Sequence, residues 1–318
     1  MSASKNRPRW DELPVGVRGQ ISELAGGRVL AAQNCEGGYS PGLASRLTLG
    51  DGRRVFAKAM DAGEWPLQAR FHRDEARVAA SLPRTVPAPQ LLGSADDGHW
   101  VILVFQCAEG AEPSIPWRAG ELSQVVAAAA AMSQALTPSP VAVPADHPRL
   151  GGWAELAADA HALAKLPAVS AWAARNLDML SEIERAGLAA ARGQTLVHFD
   201  VLPHNILRTD RRVLFVDWPH ARLGAPFIDV LTVLASAGDA EIDLDALLAG
   251  QSVAAGVEPE LLDAVLAALT GFWLAGGLAE LPSALRPIAA AKRALGRSAL
   301  SWLQRRLGTA EPRFTRTE

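Results

Sequence analysis

Asp200, Asn205 and Asp217 have the types and spacing that phosphoryl transfer requires. The stretch reads Leu196-Val197-His198-Phe199-Asp200-Val201-Leu202-Pro203-His204-Asn205-Ile206-Leu207 and, after a turn at Asp210-Arg211, continues Val213-Leu214-Phe215-Val216-Asp217-Trp218. Transfer from ATP needs metal ions to neutralise the phosphates and a carboxylate to orient the attacking hydroxyl and take its proton. A loop with an aspartate and an asparagine five residues on, then an apolar strand ending in a second aspartate, supplies both in one short segment. Asp200 is the expected base, and Asn205 and Asp217, hard oxygen donors, are the expected ligands of Mg2+. Each alone is an ordinary turn or cap residue. Their conjunction beside apolar strands carries the signal.

The elements that must hold these residues can be read from periodicity. Residues 28–60 are short apolar runs broken by glycine, with Leu49-Gly50-Asp51-Gly52 as a turn, so an antiparallel hairpin is expected there. Residues 65–82 have helical spacing and stop at Pro83. Residues 88–92 and 100–106 read as strands, the second a run of Val, Ile, Leu and Phe suited to a buried strand. The first 106 residues therefore predict a five-stranded sheet with one inserted helix. Beyond Gly110, Ala and Leu dominate and helices are expected over 122–136, 153–164 and 170–191, with a Pro-rich connector at 137–148. Residues 264–279 predict a buried helix, and 311–318 a loose tail.

The catalytic segment resembles the kinase catalytic loop, His-x-Asp-x-x-x-x-Asn, followed by a metal-binding aspartate. It is more similar to the aminoglycoside phosphotransferase and choline-kinase-like branch, whose loop commonly reads His-Gly-Asp-x-x-x-x-Asn-Ile-Leu and whose metal-binding Asp precedes a Gly-x-Pro-x-x-Asp pattern, here Gly224-Ala225-Pro226-Phe227-Ile228-Asp229. Phe199 and His204 stand where glycines are frequent in that branch. The resemblance spans about residues 15–305. It implies an α+β, protein-kinase-like two-lobed fold: a β-rich nucleotide-binding lobe with one inserted helix over 1–108, and a mainly helical catalytic and acceptor-binding lobe over 109–318.

The same resemblance implies that Lys58 holds the ATP phosphates and that Glu75 pairs with it, with Asp74 as the alternative partner. On the bland alternative Glu75 only pairs with Arg70, Arg73 or Arg77 on its own helix. Asp229 is expected to brace the catalytic loop, and His198 to anchor its backbone without transferring protons. Gln106, Cys107 and Ala108 form the expected hinge that recognises adenine. The Gly-rich stretch 36–42 could lay backbone N–H groups and the Ser40 hydroxyl over the phosphates.

ATP with Mg2+ is thus the expected cofactor, GTP the alternative donor, and a small molecule with a hydroxyl the expected acceptor: an aminoglycoside, amino sugar or amino alcohol. Only twelve positions separate Asp217 from Asp229, which leaves no room for the activation segment of a protein kinase. The acidic set Asp239, Glu241, Asp243 and Asp245 suits either an amine-bearing acceptor or plain helix capping. A nucleotide-binding or interaction module that has lost catalysis is the rival class.

Composition sets the outer bounds. With 31 Lys and Arg against 34 Asp and Glu, a net charge of -3 gives no field that favours nucleic acid or an anionic membrane. Cys35 and Cys107 are far apart and lack metal-ligand spacing, so buried thiols in a reducing, cytoplasmic setting are expected. Oligomeric state is left open.

Overall fold

Alternate residues of the segment Leu43–Leu49 are buried, the period-2 signature of a strand with one face on a core. In the computed structural model, which describes residues 7–35, 40–146 and 149–309, that strand belongs to an antiparallel five-stranded sheet. In chain order the elements are α1 (Val15–Ala25), β1 (Val29–Asn34), β2 (Leu43–Leu49), β3 (Arg54–Asp61), α2 (Pro66–Ser81), β4 (Leu91–Asp96), β5 (Trp100–Gln106), α3 (Ala119–Ala135), α4 (Trp153–Ala158), α5 (Ala160–Val169), α6 (Ala171–Arg175), α7 (Leu177–Ala190), β6 (Thr195–Val197), β7 (Ile206–Arg208), β8 (Val213–Phe215), β9 (Arg222–Gly224), α8 (Ile228–Ala235), α9 (Leu244–Ala249), α10 (Pro259–Leu278) and α11 (Arg286–Thr309). The chain divides into two compact units: Met1–Pro113 with Pro203–Ala221, and Ser114–Leu202 with Arg222–Glu318.

In the first unit the strand order is β1-β2-β3-β5-β4. One face of the sheet packs Leu43, Leu47, Val55, Ala57 and Val104 against Val17, Ile21 and Ala25 of α1. The other face packs Met60, Val101, Leu103 and Phe105 against Ala69, Ala76 and Ala79 of α2. Each fully buried Leu or Ile contributes on the order of 2 kcal/mol, so both helices are fastened by the sheet rather than by their own propensity. Because strand side chains alternate, Ala57 and Ala59 face α1 while Lys58 between them faces α2. Gly42, at the start of β2, must lack a side chain: a Cβ there would lie 2.4 Å from the Ala59 carbonyl oxygen.

The expected five strands and inserted helix are present. Helix α1 was not expected, because two weak helix formers, Gly16 and Gly19, dilute its pattern. Val17 and Ile21 nevertheless keep the i, i+4 spacing, and Gly26 in the left-handed conformation ends the helix. The strand expected at 88–92 lies at Leu91–Asp96 instead, since Pro87 and Pro89 disfavour ladder pairing.

The second unit is built on α10, long and apolar enough by composition to cross a membrane, but with 78% of its apolar window buried within the protein. Gly187 of α7 allows a close approach of the two helices: a Cβ there would lie 2.0 Å from the Ala264 carbonyl oxygen of α10. The helix expected at 153–164 is broken at Asp159, whose carboxylate caps α5 by accepting the N–H groups of His161 and Ala162. The helix expected at 170–191 begins with a Ser170 cap and is broken at Asn176. Asp243 caps α9 through the Ala246 N–H, and Asp245 pairs with Arg306, so these two members of the acidic set do structural work. The tail at 311–318 lies outside the described residues.

Candidate active site

In the first unit, Lys58 of β3 places Nζ 2.7 Å from both carboxylate oxygens of Glu75 on α2, and 2.6 Å from Asp217 Oδ1. Glu75 is therefore the partner. Arg73 pairs with Asp96 and Arg77 with Asp74, which removes the bland alternative of pairing along the helix. Burial alone would lower the pKa of the Lys58 ammonium; the carboxylates of Asp217 and Glu75 outweigh it and hold it above the ordinary value. Burial pushes the Glu75 carboxyl up while Lys58 pulls it down, and with an ammonium 2.7 Å from each oxygen the ionised pair satisfies both groups. His72 lies buried on the same helix, its pKa pushed down to about 4 by burial and then by Lys58, so its ring is neutral at pH 7.

The two expected metal ligands come from one hairpin. Strands β7 and β8 pair antiparallel, Ile206 opposite Phe215. One residue further out, the Val216 N–H donates to the Asn205 carbonyl at 3.0 Å. Asn205 and Asp217 thus sit at the same open end of the hairpin, and a further backbone bond, Phe215 N–H to the Pro87 carbonyl at 2.7 Å, ties it to the rest of the unit. Asp217 has φ 68, a left-handed conformation that aspartate tolerates better than most residues. One carboxylate and one side-chain amide oxygen fit Mg2+, which keeps several waters and takes its remaining ligands from phosphates. Among the described residues, no cluster of three or more His, Cys, Asp or Glu has the character of an all-protein metal cage.

Around the nucleotide segment, the Ser40 Oγ is buried and has no hydrogen-bond partner among the described residues, as suits a donor reserved for a phosphate. Residues 36–39 of the Gly-rich stretch lie outside the described residues. Arg7 spans their flanks, donating from Nη1 to the Cys35 carbonyl at 2.8 Å and from Nε to the Ser40 carbonyl at 2.9 Å. Gln106 is the last ladder residue of β5, opposite Val55, and Cys107 and Ala108 follow it. Both cysteines are half-buried free thiols, more accessible than the sequence implied. His220 packs edge-on against Phe71 at 5.1 Å, Trp218 is buried with its indole N–H on the Phe215 carbonyl, and His204 is exposed.

In the second unit, Asp200 follows β6 and is only 8% exposed. Asp229, at the first turn of α8, accepts the His198 N–H at 2.9 Å and the Phe199 N–H at 3.0 Å. The Asp200 N–H donates to His198 Nδ1 at 3.2 Å, so the imidazole proton sits on Nε2 and His198 acts as a backbone anchor. Phe199 holds φ 62, a left-handed conformation that costs a non-glycine residue roughly 1–2 kcal/mol. Its phenyl ring is buried, and deleting such a ring costs about 3–5 kcal/mol, so phenylalanine is the more stable choice here despite the strain. The loop geometry that glycine would supply is retained.

The Asp229 carboxyl has a pKa raised to about 7 by burial, pulled back by the two backbone N–H donors and raised further by Asp200. A carboxyl raised above its unfolded value of about 3.9 leaves the folded state holding the extra proton between those two values. Its contribution to stability is therefore full below about pH 4 and lost as pH rises through about 7, with a ceiling of about 4 kcal/mol. We expect unfolding free energies of Asp229→Asn, measured in urea from pH 4.5 to 8, to lack a fall with pH that the parent shows. Parallel curves would contradict the assignment.

The structure adds one residue that the sequence did not mark. Arg149 Nη2 lies 2.8 Å from Asp200 Oδ1. It sits just beyond the Pro-rich connector, where neither period nor motif offers a signal.

A sequence model described as the phosphotransferase enzyme family (APH) matches residues 32–296. The chain belongs to this family. No curated protein matches it by sequence. Among solved structures, this family member is similar to a thermostable mutant of aminoglycoside phosphotransferase APH(4)-Ia in complex with ADP and hygromycin B, at TM-score 0.56 and 15% identity, covering 93% of this chain and 100% of that one. ADP-bound aminoglycoside phosphotransferase APH(2'')-Ib gives TM-score 0.55 at 10% identity, covering 91% and 99%. A protein described as a fructosamine-3-kinase from Haemophilus somnus 129PT gives 0.50 at 12%, covering 89% and 96%. These likenesses establish the kinase-like fold expected from the sequence, an antiparallel N-terminal sheet with a helical C-terminal part.

Proposed function

We propose that this phosphotransferase-family chain is a small-molecule kinase that moves the γ-phosphoryl group of Mg–ATP, or of GTP as the alternative donor, to an acceptor hydroxyl in the cytoplasm. The ion-paired set Lys58, Glu75 and Asp217 carries the reading. A buried lysine held between two carboxylates is costly as a structural device and is the arrangement that a phosphate-holding lysine needs. Residues 1–108 form the nucleotide-binding lobe in this proposal and 109–318 the catalytic and acceptor-binding lobe. Asp217 and Asn205 hold the metal, which neutralises phosphate charge when bound. Lys58, fixed by Glu75, holds the phosphates as a point charge, while Ser40 and the backbone beside it contact them. Gln106, Cys107 and Ala108 hold the base. Asp200 orients the acceptor hydroxyl and takes its proton.

Similar proteins bound to ADP support nucleotide use, and hygromycin B in one of them supports a small hydroxylated acceptor. Aminoglycosides, amino sugars and amino alcohols are the starting panel. The reading without catalysis is disfavoured by the retained loop, in which Phe199 keeps the left-handed turn and Asp229 its brace. Purified protein incubated with Mg–ATP should consume ATP only when an acceptor from such a panel, extended to anionic sugars, is present. ATP binding without turnover across the whole panel would favour the module that has lost catalysis.

A further inference from the structure

Beside Asp200 the second unit displays positive charge. Arg149 contacts the base directly, and its guanidinium carbon lies 5.5 Å from the centre of the Phe272 ring on α10. Lys292 of α11 reaches the same ring, its Nζ 4.3 Å from the centre. Two cations therefore lie against one half-exposed aromatic ring, and among the described residues the only carboxylate bearing on Lys292 is Asp200.

The arrangement is built by packing. The Gly151 N–H donates to the Ala268 carbonyl of α10 at 2.8 Å, and Trp153 Nε1 to the Ala267 carbonyl at 2.8 Å, which pins the segment carrying Arg149 to the helix carrying Phe272. The Lys292 stem runs across Gly276, where a Cβ would come within 2.8 Å of Nζ. Burial lowers the pKa of the Lys292 ammonium, Arg149 lowers it further, and Asp200 offsets them only in part. A half-buried ammonium beside a guanidinium repels an amine and is stabilised by an incoming anion.

We propose that the acceptor carries an anionic group, a carboxylate or a phosphate, which Arg149 and Lys292 bind while Phe272 supports its apolar face and its hydroxyl lies against Asp200. This rests on the reading of Asp200 as the base, and it sets an anionic acceptor against the amine-bearing ones suggested by the sequence. Carboxylate and phosphate share the chemistry that the two cations recognise, and a matched set of probes separates them.

Glucuronate, glucose 6-phosphate, glucose and glucosamine should be titrated into the full chain by calorimetry. At least one of the two anions should bind about tenfold or more tightly than glucose and glucosamine. Lys292→Met, which keeps the length and the contact with Phe272, should abolish that preference, and Lys292→Arg should restore it. Glucosamine binding as tightly as either anion, or unchanged anion affinity in a folded Lys292→Met, would overturn the proposal. Mg–ATP binding on the same samples speaks to the kinase reading alone, so the two failures are told apart. Selective anion binding with no phosphorylation of either anion by Mg–ATP would also overturn the proposal, since the bound anion would then not be the acceptor.

Discussion

Asp200→Asn is expected to slow phosphoryl transfer by about 10²–10⁴-fold, the range that a positioned general base contributes. ATP affinity should stay within a few-fold of the parent, because Asp200 is assigned no phosphate or metal contact. The amide can still accept from Arg149 and its backbone N–H still reaches His198, so the loop keeps its geometry. Loss of the charge has a second consequence. Asp200 is one of the groups that raise the Asp229 pKa, so that carboxyl should ionise at lower pH in the variant. Steady-state kinetics give the first effect and the pH dependence of unfolding gives the second. Turnover that survives substitution would move the base elsewhere.

Asp217→Ala is expected to weaken magnesium-dependent ATP binding by about 100-fold or more, since it removes the only carboxylate assigned to the metal. Its effect on stability should be modest, roughly 1–2 kcal/mol, from placing alanine in the left-handed conformation that Asp217 holds at φ 68. The Asp217 side chain is 43% exposed, so its ion pair with Lys58 contributes about 1 kcal/mol at most. Lys58→Ala is a poorer test of the same site. It would strand the Glu75 carboxylate, whose side chain is 3% exposed, and breaking such a pair from one side costs about 3–5 kcal/mol. With Asp217→Ala the Lys58–Glu75 pair remains, and a change in nucleotide affinity can be read without unfolding. Calorimetric titration of ATP with and without magnesium separates the outcomes. Equal magnesium dependence in parent and variant would remove Asp217 from the metal site.

The parts of the site legible in the sequence are those that short-range geometry fixes. Asn205 and Asp217 are joined by a single hairpin, and the strand-turn-strand pattern that brings them together is written in one apolar run and one polar turn. Asp229 was placed by family resemblance, through the pattern Gly224-Ala225-Pro226-Phe227-Ile228-Asp229, and the structure sets it in the first turn of α8. Lys58 and Glu75, seventeen positions apart, were placed by family resemblance, and the alternation of β3 explains why only Lys58 of its neighbours can reach α2. Arg149, Phe272 and Lys292 are brought together by helix packing across long sequence separations, and no local period records such a meeting. The left-handed turn at Phe199 was illegible for another reason: a buried ring makes a strained backbone affordable, and burial is a property of the folded chain.

In the proposed function, Lys58, Asn205 and Asp217 hold a magnesium–nucleotide complex. Calorimetric titration of ATP into the unmodified protein, in magnesium and again in EDTA, tests it most directly. On the proposed function, binding should be saturable and one-to-one in magnesium and weaken by at least about tenfold when the metal is removed. ATP that binds equally well without a divalent cation, or fails to bind at all, would contradict it.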